Sequence, residues 1–218
     1  MSKIDLKGAK HIIWDWNGTL LNDLDLCINI INPMLKKRGL DLITKDQYLE
    51  VFDFPVRDYY LELGFDFDKE PFEHISTEFI TAYEKGRPGC QLFTQSRETL
   101  SSLHKLGLTQ SILSASKKAY LDKAVIFYGV QPYFNDVLGL DNHHAAGKLE
   151  IARTYMDQKV SDPRSVIMVG DTIHDAEISR DLGIQCILIP NGHHSHSRLS
   201  GTQGVLVDSL SDLLDLFK

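Results

Sequence analysis

Two acidic residues and one serine stand at or just after the ends of short apolar segments: Asp15, Asp171 and Ser114. A third acid, Asp175, follows Asp171 by one helical turn. In a doubly wound sheet, ligands bind beyond the carboxyl ends of the strands, so side chains at those ends are expected to meet in one cleft. Carboxylates crowded into a cleft repel one another, and a bound cation relieves that repulsion. Because hard oxygen ligands favour Mg²⁺, the sequence predicts a magnesium site that also accepts a phosphate group.

The segments that must position these side chains read as buried strands that alternate with helices. Strands are predicted for residues 11–15, 111–114, 166–170 and 184–189, with a shorter candidate at 205–207. Apolar residues at helical spacing predict helices at 97–106, 119–128, 148–156 and 175–182. Strands that are apolar throughout indicate burial on both faces. The pattern predicts an α/β fold with a doubly wound, Rossmann-like and mostly parallel sheet.

Residues 22–87 have a different pattern, with amphipathic segments and no convincing buried strand. Thr44 and Gln47 match a capping box at the start of a helix. The stretch ends near the turn-rich sequence GRPG at 86–89, which suits a hinge. The predicted organisation is a core of residues 1–21 and 88–218, with an all-helical domain of residues 22–87 inserted after the first strand. Its phenylalanines are expected in its own core: Phe52, Phe54, Phe65 and Phe67.

The composition argues against several classes of function. The chain carries 23 Lys and Arg against 30 Asp and Glu, a formal net charge of -7 that repels nucleic-acid phosphates. Its three cysteines, Cys27, Cys90 and Cys186, are far apart and odd in number, which argues against a zinc site or a disulfide framework. No apolar run approaches the roughly 18 residues that a membrane span needs. We expect a cytoplasmic protein, a monomer or a homodimer, that binds neither nucleic acid nor a membrane.

Four motifs in this order resemble those of the haloacid dehalogenase-like superfamily. DWNGT at 15–19 is similar to its first motif, D-x-D-G-T, while Ser114 and Lys148 stand where the second and third motifs have Ser or Thr and Lys. GDTIHD at 170–175 is similar to the fourth motif, G-D-x-x-x-D. The helical insertion stands where that superfamily has its helical cap. YFNDVLG at 133–139 resembles the phosphoglycolate phosphatase-like group.

The resemblance implies a phosphatase in which Asp15 attacks phosphorus and forms an aspartyl-phosphate, which water then hydrolyses. Asp15, the backbone carbonyl of Asn17 and Asp171 would hold Mg²⁺, with Asp175 as a further ligand or a support for the others. The implied partner is a small phosphorylated metabolite. The residues implied to bind its phosphate or to brace the loop around it are Ser114, Ala115, Lys148, Trp16, Gly18 and Thr19.

Asn17 departs from the first motif, whose second Asp protonates the leaving oxygen and then helps to activate water. A neutral amide does neither, and general acid–base catalysis is typically worth about 10² to 10⁴-fold. Four explanations stay open: slow turnover or good leaving groups, another proton donor, loss of catalysis with retained ligand binding, or deamidation of Asn17 to Asp. An Asn17→Asp variant is expected to hydrolyse alkyl phosphates faster. The candidate donors also suit solvated loops: His143, His144, His193, His194 and His196.

Two further hypotheses concern the chemistry and its specificity. Phosphonate hydrolases of the superfamily also lack the second Asp and use a cap lysine as a Schiff base. The candidates for that lysine are Lys36, Lys37 and Lys45. Arg57, in the sequence FPVR, is the candidate partner for a substrate carboxylate, and a solvated arginine fits the sequence equally well. Lys148 and the acids of the fourth motif argue against a dehalogenase.

Overall fold

The computed structural model describes residues 6, 8–140 and 147–217. Its main layer is a sheet of six strands: β1 His11–Trp14, β4 Thr109–Lys117, β5 Asp136–Leu140, β6 Val166–Gly170, β7 Gln185–Leu188 and β8 Val205–Leu206. Their order across the sheet is β5-β4-β1-β6-β7-β8. Two short strands, β2 Leu21–Asn22 and β3 Gln91–Leu92, form a separate antiparallel pair.

Neighbouring strands of the six-stranded sheet all pair in parallel. β1 lies near the centre, where His11 is opposite Thr109 of β4 and Val166 of β6. The predicted parallel sheet is therefore confirmed. Because the strands run in one direction, the carboxyl ends of β1, β4 and β6 lie at the same edge, and the residues that follow them share that edge.

Helices cover both faces of this sheet, as expected for a doubly wound fold. After β3 the helices are α5 Ser96–Lys105, α6 Lys118–Phe127, α7 Lys148–Lys159, α8 Ile173–Leu182, α9 His196–Ser200 and α10 Leu210–Asp215. Ile12 and Trp14 of β1 pack in an apolar cluster with α5, α6 and α10. Ile13 packs in another cluster with α7 and α8. Successive residues of β1 thus face different clusters, which explains why the strand is apolar throughout.

Four helices lie between β2 and β3: α1 Leu24–Lys37, α2 Lys45–Val51, α3 Val56–Glu62 and α4 Phe72–Gly86. They share an apolar cluster of their own, which includes Ile31, Tyr60 and Phe65. The capping box at the start of α2 is confirmed, since the side chains of Thr44 and Gln47 each accept a hydrogen bond from the other's backbone N–H. The helical insertion is therefore present, while its exact bounds as a domain stay a prediction.

Five strands and helices were not predicted from the sequence, and each has a physical reason. β2 and β3 have two residues each, too few to show a strand pattern. β5 is an edge strand whose residues are mostly half-buried, so it lacks the continuous apolar pattern of the central strands. α9 and α10 have 5 and 6 residues, too few to show a helical period.

Among the helices of the described residues, none is both long and apolar enough to cross a membrane.

Candidate active site

Three carboxylates lie together at the carboxyl edge of the sheet. Ligand oxygens of Asp15, Asp171 and Asp175 are all within 4.8 Å of one another, and all three residues are buried. Asp15 follows β1 directly, and its backbone N–H donates to the carbonyl of Val169 in β6 at 2.8 Å. The structure thus brings together the acids that the sequence indicated, although two of them lie far along the chain from the first.

Lys148 is the cation of this cluster. It begins α7, only 7% of it is exposed, and its Nζ lies 2.5 Å from Oδ1 of Asp15 and 2.6 Å from Oδ1 of Asp175. Burial alone would lower the pKa of Lys148, but the charges of Asp15 and Asp175 raise it above the usual range. Lys148 therefore stays protonated at neutral pH, and it joins two acids that come from different loops.

The other oxygens of Asp171 and Asp175 are held by hydrogen bonds from the surrounding loops. Asp171 accepts from the Thr19 hydroxyl at 2.7 Å and from the backbone N–H of His193 at 2.7 Å. Asp175 accepts from the Thr172 hydroxyl at 2.7 Å and from its backbone N–H at 3.1 Å, in a capping box that begins α8. These bonds fix the directions of both carboxylates before any ligand binds.

Burial and mutual repulsion shift the pKa values of the three acids in different directions. Burial raises the pKa of Asp15 to about 8, with Lys148 opposing the rise and the other two acids adding to it. Burial also raises the pKa of Asp171 to about 6, against the opposing charge of His193. For Asp175 the effect of burial is outweighed by Lys148 and Thr172, which lower its pKa. One lysine thus compensates the cluster only in part.

The residues present fit a hard divalent cation. The three acidic side chains offer oxygen ligands alone, and their buried charge exceeds that of the one adjacent lysine. A cation with oxygen ligands would offset the burial and the repulsion between neighbouring acids, which together raise the pKa of Asp15 and Asp171. The donor set suits Mg²⁺ better than a metal that prefers nitrogen or sulfur ligands.

Gly18 allows the loop after β1 to approach the acids closely. Its φ of 74° lies in the left-handed region, and a Cβ atom there would collide with the carboxylate of Asp171 and the ring of His193. The N–H of Gly18 donates to the carbonyl of Leu21 at 2.9 Å and to Asp23 at 3.0 Å. This N–H therefore stabilises the loop itself, which leaves it less suited to the phosphate-binding role expected from the sequence.

Asn17 is held by side chains on both sides of its amide. Nδ2 donates to Asp23 at 2.7 Å and to the hydroxyl of Tyr83 at 2.6 Å. Oδ1 accepts from the hydroxyl of Ser116 at 3.0 Å and, more weakly, from that of Ser114 at 3.4 Å. The residue that departs from the first motif thus has no free rotation, and it contacts both the core and helix α4.

Asp23 is a functional candidate that the sequence analysis missed. It is 1% exposed and accepts hydrogen bonds from Asn17, from the N–H of Gly18 and from the Tyr83 hydroxyl. His193 lies 3.3 Å away and forms a buried ion pair with it. Burial alone would raise the pKa of Asp23 and lower that of His193, but their contact lowers the first and raises the second to about 9. The available signal in the sequence was the position of Asp23, an acid only four residues after the end of DWNGT.

The loop that carries His193 also contacts the helical insertion. Nδ1 of His193 is 3.1 Å from the hydroxyl of Tyr48 in α2. Arg198, in α9, donates to the carbonyl of Phe52 at 2.6 Å and to the carboxylate of Asp53 at 2.7 Å. The ring of Phe52 lies 5.3 Å from that of His193, so this phenylalanine faces the core loop as well as its own cluster.

The other candidate proton donors differ in their surroundings. His194 is fully buried, accepts a hydrogen bond from the N–H of Ile173 at 3.1 Å, and has a pKa lowered to about 4 by burial. Its Nε2 has no partner among the described residues. His196 is exposed on α9, where it bonds Ser200. His143 and His144 lie outside the described residues. A proton-donor role for His194 or His196 stays a prediction without a supporting contact.

The remaining predicted residues fall into two groups. Trp16 is 1% exposed and packs 6.0 Å from the ring of Tyr128, so only its backbone can serve the cleft. Ser114, at 1% exposure, is bonded to the N–H of Ser116, and Ala115 between them is exposed. Residues 114–116 lie on β4, where Ser114 and Ser116 contact Asn17.

Arg57 and the three lysines of the insertion are placed on its surface. The guanidinium of Arg57 lies over the ring of Phe67, at 4.5 Å, and of Phe72. The lysines proposed for a Schiff base are exposed, and two of them are paired: Lys37 with Glu78 and Lys45 with Asp25. A substrate role for Arg57 stays a prediction without a supporting contact.

Comparison with known proteins places this sequence among hydrolases. Residues 12–189 match the sequence profile described as haloacid dehalogenase-like hydrolase. A phosphoglycolate phosphatase from Vibrio vulnificus is 27% identical over 135 residues, which are 61% of this chain and 59% of that protein. The matched part thus spans less than two thirds of that relative. A phosphoglycolate phosphatase from Synechococcus elongatus is 24% identical over 210 residues, 93% of this chain and 94% of that protein.

The fold also has solved counterparts. A haloacid dehalogenase-like family hydrolase from Streptococcus pneumoniae has a TM-score of 0.84 and 19% sequence identity, and the match covers 97% of this chain and 99% of that one. At this level of identity the similarity supports the fold and says nothing of the substrate.

Proposed function

This chain belongs to the haloacid dehalogenase-like hydrolase family, and on that premise we propose that it is a Mg²⁺-dependent phosphatase of small phosphate monoesters with Asp15 as its nucleophile. One observation carries the proposal. Ligand oxygens of three buried acids, Asp15, Asp171 and Asp175, lie within 4.8 Å of one another, and a single buried lysine joins two of these acids. Such an excess of buried negative charge destabilises a fold. Groups of this kind are concentrated at functional sites, which is why the cluster supports a catalytic role.

Asp15 would attack the phosphorus atom, forming an Asp15 oxygen–phosphorus bond as the bond from phosphorus to the leaving oxygen breaks. Water would then attack phosphorus, and the Asp15 carboxylate would leave as inorganic phosphate forms. Lys148 stays protonated 2.5 Å from Asp15 and would stabilise the negative oxygens of the transferring group. Ser114 and Ala115, on β4, would contact the same oxygens.

The proposed holders of Mg²⁺ are Asp15, Asp171 and the backbone carbonyl of Asn17. When bound, the cation would neutralise the cluster and draw negative charge from the phosphoryl oxygens. Asp175 would support this site indirectly, since its oxygens bond Lys148 and Thr172. Thr19 and the N–H of His193 would keep the carboxylate of Asp171 in place.

The leaving oxygen is the weak point of this reaction. Asn17 cannot donate a proton, and its two N–H groups are already bonded to Asp23 and Tyr83. We therefore propose that the enzyme favours phosphates whose leaving groups are stable as anions, such as acyl and aryl phosphates, and that it turns over alkyl phosphates slowly.

A second candidate function is binding of a phosphorylated ligand without turnover. The saturated hydrogen bonds of Asn17 favour it, because they leave this loop rigid and without an acid. A phosphonate hydrolase has less support, since the lysines named for it are exposed and two are paired with carboxylates. Borohydride trapping with phosphonoacetaldehyde tests that reaction, and an adduct on a lysine of the insertion would establish it.

The proposed division places residues 22–87 as a cap over a core of 1–21 and 88–218. Support comes from the separate apolar cluster of α1–α4 and from the contacts of Arg198 and His193 with α2. A cap that rests on the loop beside Asp171 would exclude water from the cleft and contribute specificity.

The test is release of inorganic phosphate from acetyl phosphate, 4-nitrophenyl phosphate and 2-phosphoglycolate, with Mg²⁺ and with EDTA. We expect release that depends on Mg²⁺, is lost in Asp15→Asn, and is unchanged in Asp157→Asn, an exposed acid on α7. Release that survives in Asp15→Asn would contradict the proposal. Binding of phosphate without release from any of these substrates would support the second candidate.

A further inference from the structure

The amide of Asn17 and the carboxylate of Asp23 form a directional pair. Nδ2 of Asn17 donates to Oδ2 of Asp23 at 2.7 Å, and Tyr83 donates to the same oxygen at 2.7 Å. A carboxylate only accepts hydrogen bonds, so the nitrogen of the amide has to face Asp23. Its oxygen then faces Ser116 and Ser114, whose hydroxyls donate to it.

Asp23 is fixed independently of Asn17. Its Oδ1 accepts from the N–H of Gly18 at 3.0 Å and lies 3.3 Å from Nε2 of His193. Tyr83 approaches from α4, and the residue as a whole is 1% exposed. Since these groups hold the carboxylate without help from Asn17, it is the fixed member of the pair and the amide adapts to it.

We propose that Asp23 is a positioning residue that requires an amide at position 17 and directs its oxygen toward Ser114 and Ser116. The negative charge that the first motif normally carries at its second Asp is thus carried in this chain by Asp23. Asp23 touches no reacting atom. It acts through Asn17, and through Asn17 it sets the direction of the hydroxyl of Ser114.

One consequence concerns the replacement of Asn17 by Asp. With the side chain unmoved, Asn17→Asp would put a carboxylate oxygen about 2.7 Å from Oδ2 of Asp23, in a buried place where two like charges repel strongly. The two carboxyl groups would then share one proton in a hydrogen bond between positions 17 and 23. Because that proton is directed at Asp23 and not at the leaving oxygen, the single substitution fails to create a working general acid. This revises the gain in rate that the motif alone would lead one to expect.

The exchange Asn17→Asp/Asp23→Asn reverses the pair and keeps its total charge and shape, although His193 then faces an amide oxygen where it had a carboxylate. The amide now at position 23 would donate to the carboxylate now at position 17, and its oxygen would still accept from the N–H of Gly18. The hydroxyls of Ser114 and Ser116 would still find an acceptor at position 17. The exchanged protein also gains an acid where the first motif has one. A rise in its kcat for the alkyl phosphate would indicate a positioning role for residue 23, because packing alone would affect only Tm.

The experiment compares the wild type, Asn17→Asp, Asp23→Asn and the exchanged double variant by thermal unfolding and by kcat for acetyl phosphate and 2-phosphoglycolate. We expect Asn17→Asp to lower Tm by about 5 °C and kcat by about tenfold or more. We expect the exchange to recover part of the Tm lost in Asn17→Asp, since the ion pair of Asp23 with His193 is not restored, and to raise kcat for the alkyl phosphate above the wild type. If Asn17→Asp does not fold and the exchange does, the proposal is supported equally.

Asn32→Asp, alone and with Asp23→Asn, is the matched control. Asn32 lies on α1, and its amide is bonded to the backbone of Ile43, so Asp23→Asn should not rescue it. The proposal is overturned if Asn17→Asp matches the wild type, or if the exchange is no better than the two single effects combined. The kinetic readout rests on the proposed function. The thermal readout does not, so a protein inactive on all substrates that still shows the rescue of Tm would remove only the proposed function.

Discussion

Lys148 and Asp15 form a buried ion pair in which Nζ lies 2.5 Å from Oδ1, and the same ammonium group lies 2.6 Å from Asp175. The pair joins the start of α7 to the loop after β1, so it connects the proposed nucleophile to a helix that begins more than a hundred residues later. Two carboxylates share one lysine, and Asp171 adds a third negative charge nearby. The arrangement is stable only while that lysine, or a cation, is present.

Removal of the lysine should therefore cost stability as well as activity. In EDTA, Lys148→Met is expected to lower the free energy of unfolding by about 3 to 5 kcal/mol, because it leaves buried carboxylates without their partner. Urea denaturation of both proteins measures this. Lys159→Met, an exposed lysine at the end of the same helix, should change little. Equal midpoints for wild type and Lys148→Met would show that the ion pair does not stabilise the fold.

His11, at the start of β1 and away from the acids, should make the fold sensitive to acid. Burial lowers the pKa of His11 to about 4 from an ordinary value of 6.5, with Asp136 opposing. Between these two pH values His11 binds a proton in the unfolded chain but not in the folded protein. The contribution of neutral, buried His11 to the free energy of unfolding is therefore fully present above pH 6.5 and is lost as the pH falls toward 4.

The loss attributable to His11 between about pH 7 and about pH 5 is about 2 kcal/mol. Urea denaturation at the two pH values should show a smaller loss in His11→Gln than in the wild type. His104→Gln, an exposed histidine on α5, serves as the control and should behave as the wild type does. A pH dependence that is identical in His11→Gln would contradict the assignment.

Arg198 should hold α2 against the core. Its guanidinium donates to the carbonyls of Leu49 and Phe52 and to the carboxylate of Asp53. Loss of these charge-assisted bonds in Arg198→Ala should make amide hydrogens of residues 45–54 exchange about tenfold faster. Hydrogen exchange with mass spectrometry measures it. Arg180→Ala, on α8, is the control and should leave the exchange rates of residues 45–54 unchanged. Unchanged rates in Arg198→Ala would show that its contacts do not hold α2.

Deamidation at Asn17 should be suppressed in the folded protein. The reaction requires the N–H nitrogen of Gly18 to attack the amide carbon of Asn17, yet that N–H is bonded to Leu21 and Asp23 and the amide is held on both sides. Peptide mapping after prolonged incubation should find Asn17 intact, whereas protein kept in urea accumulates aspartate at that position. Equal rates in the two states would mean that the loop is not held as described.

The central strands and most helices could be predicted from the sequence, because central strands are buried on both faces and helices show a period. His11–Trp14 and Val166–Gly170 are apolar almost throughout, and Gly183 ends α8 with a φ of 66°. β5 could not be recognised, since an edge strand is half-buried and Gly139 replaces a side chain where the backbone of Ser116 comes close.

The acids of the site could be predicted because each follows a strand or opens a helix in a recognisable motif. The network around Asn17 could not. Asp23 reads as an ordinary residue before a helix, while Tyr83 and His193 reach it from distant parts of the chain. Side-chain hydrogen bonds between segments so far apart leave no local pattern, and only the fold brings them together.

The proposed reaction depends on covalent phosphorylation of Asp15, which mass spectrometry can detect. Wild-type protein is mixed with acetyl phosphate and Mg²⁺, quenched in acid, digested and examined by mass spectrometry. We expect a peptide with Asp15 that is heavier by one phosphoryl group, absent with EDTA and absent in Asp15→Asn. Phosphate release during the same turnover with no phosphoryl group on Asp15, or with that group on another residue, would contradict it.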